Sequence, residues 1–181
     1  MQNQYRNRRP QRKYQREQRI EQKQKTSLFD IYSIVKYFAI WIILALVAFG
    51  VKKLVMMGIS MSPVGYVGNG MLTLREVHNT GAAFNLFAGH SEMIITASFL
   101  AVAAMAFIII MFSSKITHTA VSAMALLSAG ITMNMIDRIN HGYVIDYIHC
   151  DFAPNVPVFN VPDIYIVVGA CCLILSVLTR K

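Results

Sequence analysis

Acidic residues are scarce in this sequence and are concentrated near its end. Of nine Asp and Glu in 181 residues, four lie in the last quarter: Asp137, Asp146, Asp151 and Asp163. Asp146 lies within the apolar stretch 143–148, and Asp163 opens a long apolar run. Two carboxylates that meet in a partly dehydrated place cannot easily both ionise, so they share a proton. One then takes a proton from water while the other donates to a carbonyl or a leaving amine, which is aspartic peptidase chemistry.

These acids also have structural interpretations. Asp163 could be an N-terminal helix charge favoured by the helix dipole, with Asn160 as the cap and Pro162 in the first turn. For Asp137 and Arg138, which are adjacent, we favour a structural ion pair. The sequence has no GxSxG, HExxH, P-loop or Rossmann glycine pattern. Its three cysteines form no CxxC spacing, and we predict neither a metal site nor a cofactor.

The elements that would position these acids are membrane helices. Hydrophobic residues make up 55% of the chain and charged residues 14%, which is too apolar for an ordinary soluble domain. A spanning helix needs roughly 20 mainly apolar residues, and four segments meet that requirement: 37–57, 93–112, 116–136 and 161–179. In the first, we expect Lys52 and Lys53 to reach the membrane interface. About two dozen residues join the last two segments, so we expect these to be neighbours and Asp146 to approach Asp163.

The distribution of Lys and Arg predicts the orientation in the membrane. Nine of the seventeen lie within residues 6–25, and an inside N-terminus leaves thirteen on the cytoplasmic side against four outside. Because positive segments are retained in the cytoplasm, we predict cytoplasmic termini and outer connections at 58–92 and 137–160. Residues 1–30 are predicted to be a disordered basic tail beside membrane lipids, and 31–181 to be the membrane domain. Because the basicity belongs to this tail, we predict no nucleic-acid partner.

Four short motifs, in this order, resemble those of the lipoprotein signal peptidase family, also called signal peptidase II. They are NTGAAF at 79–84, NMIDR at 134–138, VIDY at 144–147 and FNVPD at 159–163. The resemblance implies an all-α membrane protein of four transmembrane helices with a small β-platform on the outer face. It implies that Asp146 and Asp163 are the catalytic pair. It also implies four supporting polar residues around them: Asn79, Asn134, Arg138 and Asn160.

The same resemblance implies a function. It predicts an aspartic endopeptidase of the bacterial plasma (inner) membrane that removes signal peptides from diacylglyceryl-modified prolipoproteins before the lipidated cysteine. Two features depart from the family: its usual Asp, four residues before a Lys in the first helix, is missing, and Pro162 replaces the usual Ala. The missing Asp leaves open a catalytically impaired homologue that binds lipidated peptides. A proton or ion pathway is a third interpretation, although a continuous relay would need more acids within the helices.

Overall fold

Four long helices dominate the fold. The computed structural model describes residues 8–81 and 89–179, so the predicted motif at 79–84 lies partly outside the described residues. The helices are α1 (Arg8–Met61), α2 (Ser91–Phe112), α3 (His118–His141) and α4 (Val161–Leu178). Each contains an apolar stretch long enough to cross a membrane, which confirms the predicted four-helix membrane fold.

Helix α1 is much longer than its membrane-spanning part. It runs for 54 residues and includes residues 8–30, which we expected to be disordered. The sequence there is rich in Gln, Arg, Lys and Glu, all good helix formers. Glu21 and Lys25 add an ion pair of 2.8 Å at the favourable i, i+4 spacing. Because this stretch continues an existing helix, it avoids the cost of helix nucleation.

Helices α1 and α3 pack through an aromatic and hydroxyl contact. Tyr37 is completely buried and lies in a cluster with Ile109, Val121 and Ala125. Its hydroxyl lies 2.6 Å from the Ser128 hydroxyl oxygen. In a bilayer the surrounding lipid is as apolar as the side chains, so close packing and hydrogen bonds of this kind hold helices together.

Helices α3 and α4 approach each other closely at two glycines. A Cβ atom at Gly130 would collide with the carbonyl oxygen of Pro162, in the first turn of α4. A Cβ at Gly169 would lie 3.0 Å from the carbonyl oxygen of Ala123. Small residues at both crossings therefore let the two backbones touch. The start of α4, which carries Asp163, is thereby positioned directly by α3.

A three-stranded antiparallel sheet lies at the end of the bundle where α1 and α3 end. Its strands are β1 (Val67–Gly68), β2 (Leu72–Asn79) and β3 (Val144–Cys150), in the order β1-β2-β3. This sheet confirms the small β-platform. The apolar stretch around Asp146 forms β3, because pairing with β2 satisfies its backbone.

Candidate active site

Strand β3 presents Asp146 in a buried position. The register pairs Asp146 with Val77 of β2, and only 2% of Asp146 is exposed. The side-chain amide of Asn79, at the end of β2, donates to Asp146 Oδ2 at 3.0 Å. Burial raises the pKa of Asp146 to about 7, and the hydrogen bond from Asn79 opposes part of that rise. Asp146 is therefore suited to exchanging a proton near neutral pH.

The first turn of α4 holds Asp163 in a capping box. Asn160 is the N-cap, and its side-chain oxygen accepts from the Asp163 backbone amide at 2.9 Å. In return, Asp163 Oδ2 accepts from the Asn160 backbone amide at 3.0 Å. The predicted cap and the predicted place of Pro162 in the first turn are both confirmed. The cap does not exclude a chemical role, because a helix N-terminus also stabilises an ionised carboxylate.

The chain returns to β3 just before α4 begins, and this places Asn160 beside Asp146. The backbone amide of Ile148 donates to the Phe159 carbonyl at 2.8 Å, and the Phe159 amide donates back at 3.0 Å. The next residue, Asn160, donates from its side-chain amide to Asp146 Oδ1 at 2.9 Å. Asn160 therefore contacts both carboxylates, Asp146 through its side chain and Asp163 through its cap.

Helix α3 supplies two further polar residues. The side-chain amide of Asn134 donates to Asp163 Oδ1 at 2.8 Å. One turn later, Arg138 is buried and donates to the Gly81 carbonyl at 2.7 Å and to the Asn134 carbonyl at 3.3 Å. Arg138 thus ties the residues that follow β2 to α3. The structure brings both acids together with all four residues that the resemblance implied as supporting them.

The ion pair that we predicted between Asp137 and Arg138 is not formed. Asp137 instead pairs with Lys52 of α1 at 2.5 Å, and its other oxygen accepts from the Ile145 backbone amide at 3.2 Å. Successive residues on a helix point about 100° apart, so Asp137 and Arg138 face different neighbours. Lys52 therefore does not extend to the interface as expected. It holds Asp137, and Asp137 in turn binds the backbone amide of Ile145 in β3, one residue before Asp146.

The structure shows no metal-binding set around these acids. In residues 8–81 and 89–179, no three His, Cys, Asp or Glu side chains lie close enough to hold a metal ion. A cavity of about 10 Å³, which is room for about one water, lies beside the site and is lined in part by Ala48, Lys52 and Asn160. The polar groups of the site can accordingly bind water, position a carbonyl and exchange protons.

Comparison with known protein families identifies the family to which this arrangement belongs. The model of the signal peptidase (SPase) II family matches residues 21–179. The chain belongs to the signal peptidase II family.

Three relatives are lipoprotein signal peptidases. That of Dehalococcoides mccartyi is 38% identical over 117 residues, 62% of this chain and 71% of the relative. Those of Streptococcus thermophilus and Enterococcus faecalis are 33% and 31% identical, over 69% and 77% of this chain and 80% and 86% of their own lengths.

Solved structures share the fold of this signal peptidase II family member. Two structures of a bacterial membrane enzyme, determined by the in meso method at 2.3 and 1.9 Å resolution, align with TM-scores of 0.68 and 0.67. Each is 22% identical in sequence and covers 81% of this chain, and the alignments cover 92% and 94% of the solved chains. At that identity, the match supports the arrangement of helices and sheet.

Sequence reasoning missed one residue of the signal peptidase II site. Lys52 lies in an apolar run, and we explained its charge by access to the interface. The signal that could have identified its role is the lack of a nearby partner in the same helix, combined with an acid, Asp137, at the same end of the bundle. An ionisable residue in a membrane span usually has a partner.

Proposed function

We propose that this protein is an aspartic endopeptidase of the bacterial plasma membrane that removes signal peptides from lipid-modified prolipoproteins, with Asp146 and Asp163 as its catalytic pair. One observation carries the assignment: in a chain of the signal peptidase II family, a buried carboxylate, Asp146, and a half-buried one, Asp163, hydrogen-bond to the same residue, Asn160. The substrate class follows from the relatives, which are lipoprotein signal peptidases.

The pair can hydrolyse a peptide bond in two steps. In the first, ionised Asp163 takes a proton from water, the water oxygen bonds to the peptide carbonyl carbon, and the carbonyl oxygen takes a proton from Asp146. In the second, the C–N bond breaks as the leaving nitrogen takes the proton from Asp163. One hydroxyl of the tetrahedral intermediate returns its proton to Asp146. The products are a carboxylic acid and an amine, and both acids are back in their starting forms.

Two features favour Asp163 as the base and Asp146 as the acid. Asp163 lies at the positive end of the α4 dipole and accepts hydrogen bonds at both oxygens, from Asn134 and from the backbone of Asn160. Asp146 lies on strand β3 rather than in the first turn of a helix, and its burial favours the neutral form.

Substrate access follows from the proposed orientation. With both termini cytoplasmic, the ends of α1 and α3, the sheet and the start of α4 face outward. A signal peptide held as a helix in the bilayer would then present its cleavage site to the acids at the outer surface. In a chain whose three native cysteines are replaced by Ser, a cysteine introduced at Ser91 should react with an impermeant thiol reagent in intact cells, and one added after Lys181 should not. The opposite result would contradict this topology.

The catalytic pair is tested by conservative substitution. Asp146→Asn and Asp163→Asn each keep size and hydrogen bonding but remove a titrating group. Cleavage of a diacylglyceryl-modified prolipoprotein by either purified variant should fall by several orders of magnitude, and the double variant should be little worse than either single one. Asp151→Asn, the same change in the same outer connection, should cleave at a near wild-type rate. Normal cleavage by either dyad variant would refute the assignment.

The impaired-homologue alternative rested on the Asp that is missing from the first helix. Lys52 has a partner nevertheless, because Asp137 of α3 pairs with it. The outer end of α1 is therefore held to the site by an ion pair from a different helix. No observation favours the impaired alternative over the active enzyme.

A further inference from the structure

The first part of α1 carries a row of positive charges along one side. Arg16, Arg19 and Lys23 line the same surface groove beside the helix. Because successive helical residues turn by about 100°, these three positions fall within an arc of about 60°. By the same spacing, Arg8 and Arg12 occupy positions that continue the row towards the start of α1. We call these five positions the basic stripe.

The stripe is not neutralised by acids within the part of the chain that the structure describes. By helical spacing, Glu17 and Glu21 lie outside its arc, and Glu21 is already paired with Lys25 at 2.8 Å. Like charges three or four positions apart repel each other on a helix, and cations are unfavourable near a helix N-terminus. The first turn of α1 contains no acid to offset them. A negatively charged partner along the stripe would relieve both kinds of repulsion.

Most of the stripe lies too far from the bilayer to bind lipid headgroups. Helix α1 is unbroken from Arg8 to Met61, so its first part continues the direction of the membrane span. At 1.5 Å per residue, Arg16 lies about 18 Å along the axis from Leu28, where the apolar run begins. Salt screens surface charges beyond about 8 Å under physiological conditions. Lys23 is close enough to reach headgroups, but Arg16 and the positions before it are not.

This part of α1 also lacks the apolar side of a helix that lies flat on a membrane. Such helices combine a basic face with a face of Trp, Phe and Leu. Between residues 8 and 25, the large apolar residues are Tyr14 and Ile20, and a separation of six positions places them on different sides of the helix. Residues 14–25 are exposed all round. Their composition therefore favours a partner in the aqueous phase over the membrane surface.

The residue types of this segment favour RNA as that partner. Residues 6–19 contain six Arg and one Lys. The guanidinium group of Arg binds phosphate through two parallel N–H donors, and Arg-rich segments are a recurrent means of binding RNA. Helices that read DNA are held in place by a second helix or by a dimer. Residues 14–25 have no such support among the described residues, because all of them are exposed.

We propose that residues 8–25 of α1 form an RNA-binding surface on the cytoplasmic side, with the basic stripe contacting the phosphate backbone. This inference needs the cytoplasmic N-terminus proposed above, but it does not depend on the peptidase activity. From the sequence alone we predicted no nucleic-acid partner. That prediction treated the segment as a disordered tail, whereas the helix places its cations on one side and extends them away from the membrane.

Binding of a fluorescent hairpin RNA to the purified full-length protein in detergent tests this proposal. The stripe variant combines Arg16→Gln, Arg19→Gln and Lys23→Gln, which removes three phosphate contacts. Its affinity should be about a hundredfold lower at about 0.1 M salt, and the slope of log K against log salt should be shallower by about 2. Because the three side chains are exposed, the unfolding temperature should match that of the wild type. If the wild type does not bind the hairpin, the proposal is wrong.

A control variant separates the stripe from the overall positive charge. Lys53→Gln, Arg75→Gln and Lys115→Gln together lower the net charge by the same amount at exposed positions outside the stripe. This variant should bind RNA as the wild type does. Equal weakening in the control and in the stripe variant would assign binding to net charge and overturn the proposal.

Two further measurements distinguish RNA from other partners. A DNA duplex of the same sequence should bind about tenfold more weakly, the value of one hydrogen bond to a 2′-hydroxyl. Equally tight binding of DNA would overturn the assignment to RNA. In nanodiscs that contain phosphatidylglycerol, RNA binding should persist and residues 8–25 should remain open to trypsin. Loss of RNA binding, with protection from trypsin, would make the membrane the partner instead.

Discussion

The two halves of α3 hold their neighbours in different ways. In the first half, hydroxyl pairs and small apolar side chains make the contacts: Ser128 meets Tyr37 of α1, and Thr117 lies 2.8 Å from the hydroxyl of Ser176 in α4. In the second half, the same helix buries Asn134, Asp137 and Arg138 against the same two neighbours and the sheet. Hydroxyl contacts suffice to associate membrane helices, whereas buried charges are costly. The charged half therefore needs a reason beyond helix association.

The largest stability effect should come from breaking the charged half at Lys52. Lys52→Met leaves Asp137 buried without its partner and should destabilise the protein by about 3–5 kcal/mol. A thermal unfolding measurement in detergent would show it. Lys53→Met is the matched control, because Lys53 is exposed and its ammonium group lies 5.4 Å from the Phe49 ring centre. Equal losses in both variants would mean that the ion pair contributes nothing specific. Asp137→Asn added to Lys52→Met should recover part of the loss.

A second effect, smaller for each pH unit, should appear as a dependence of stability on pH. The folded protein keeps a proton on Asp146 up to about pH 7, whereas an unfolded carboxyl loses it near 3.8. Between these values the folded state binds more protons, so its stability should fall as pH rises, by up to about 1.4 kcal/mol per pH unit. Thermal unfolding of wild type and Asp146→Asn across pH 4–8 would measure this slope. If Asp146→Asn shows an equally steep slope, another titrating group is responsible for the pH dependence.

The smallest effect should come from the hydroxyl half. Tyr37→Phe keeps the ring in the core and removes one hydrogen bond, which should cost about 1 kcal/mol of stability. The kcat of the variant should equal that of the wild type, since Tyr37 contacts no residue of the site. Ser128→Ala should give a similar loss, and the double variant should not add a second one. A tenfold loss of kcat in Tyr37→Phe would erase the distinction between the two halves.

Hydropathy was enough to predict the four spans, because each is a long apolar run. Helix α3 is the partial exception, since it continues to His141, beyond the predicted end at residue 136. A hydropathy pattern stops at Asp137, but the helix does not, because Asp137 and Arg138 are buried against other parts of the protein and the helix ends only at the left-handed Gly142. The helical form of residues 8–30 was missed for a related reason. Polar composition alone does not distinguish a disordered tail from the continuation of a membrane helix.

The site was predictable in its residue types but not in its connections. Asp146 and Asp163 were candidates because one lies within an apolar stretch and the other opens an apolar run, where an acid needs a reason to be present. The hydrogen bond from the Asn160 side-chain amide to the Asn134 side-chain oxygen, 3.0 Å, was not, since it depends on side-chain orientations that only the packed helices determine. The pair of Lys52 with Asp137 joins residues 85 positions apart. No local feature of either segment indicates that the two residues lie at the same depth in the membrane.

The polar second half of α3 also constrains how the protein can enter a membrane. Helix α3 is the least apolar of the four spans, and a charged side chain at a helix centre costs roughly 2.5–3.5 kcal/mol on insertion. Because synthesis starts at the N-terminus, α1 delivers Lys52 to the bilayer before α3 emerges with Asp137. Asn160 and Asp163 arrive last, with α4. A chain still being made therefore lacks Asp163, one of the two proposed catalytic acids, until α4 is inserted, and on that proposal the enzyme cannot cleave before its own insertion is complete.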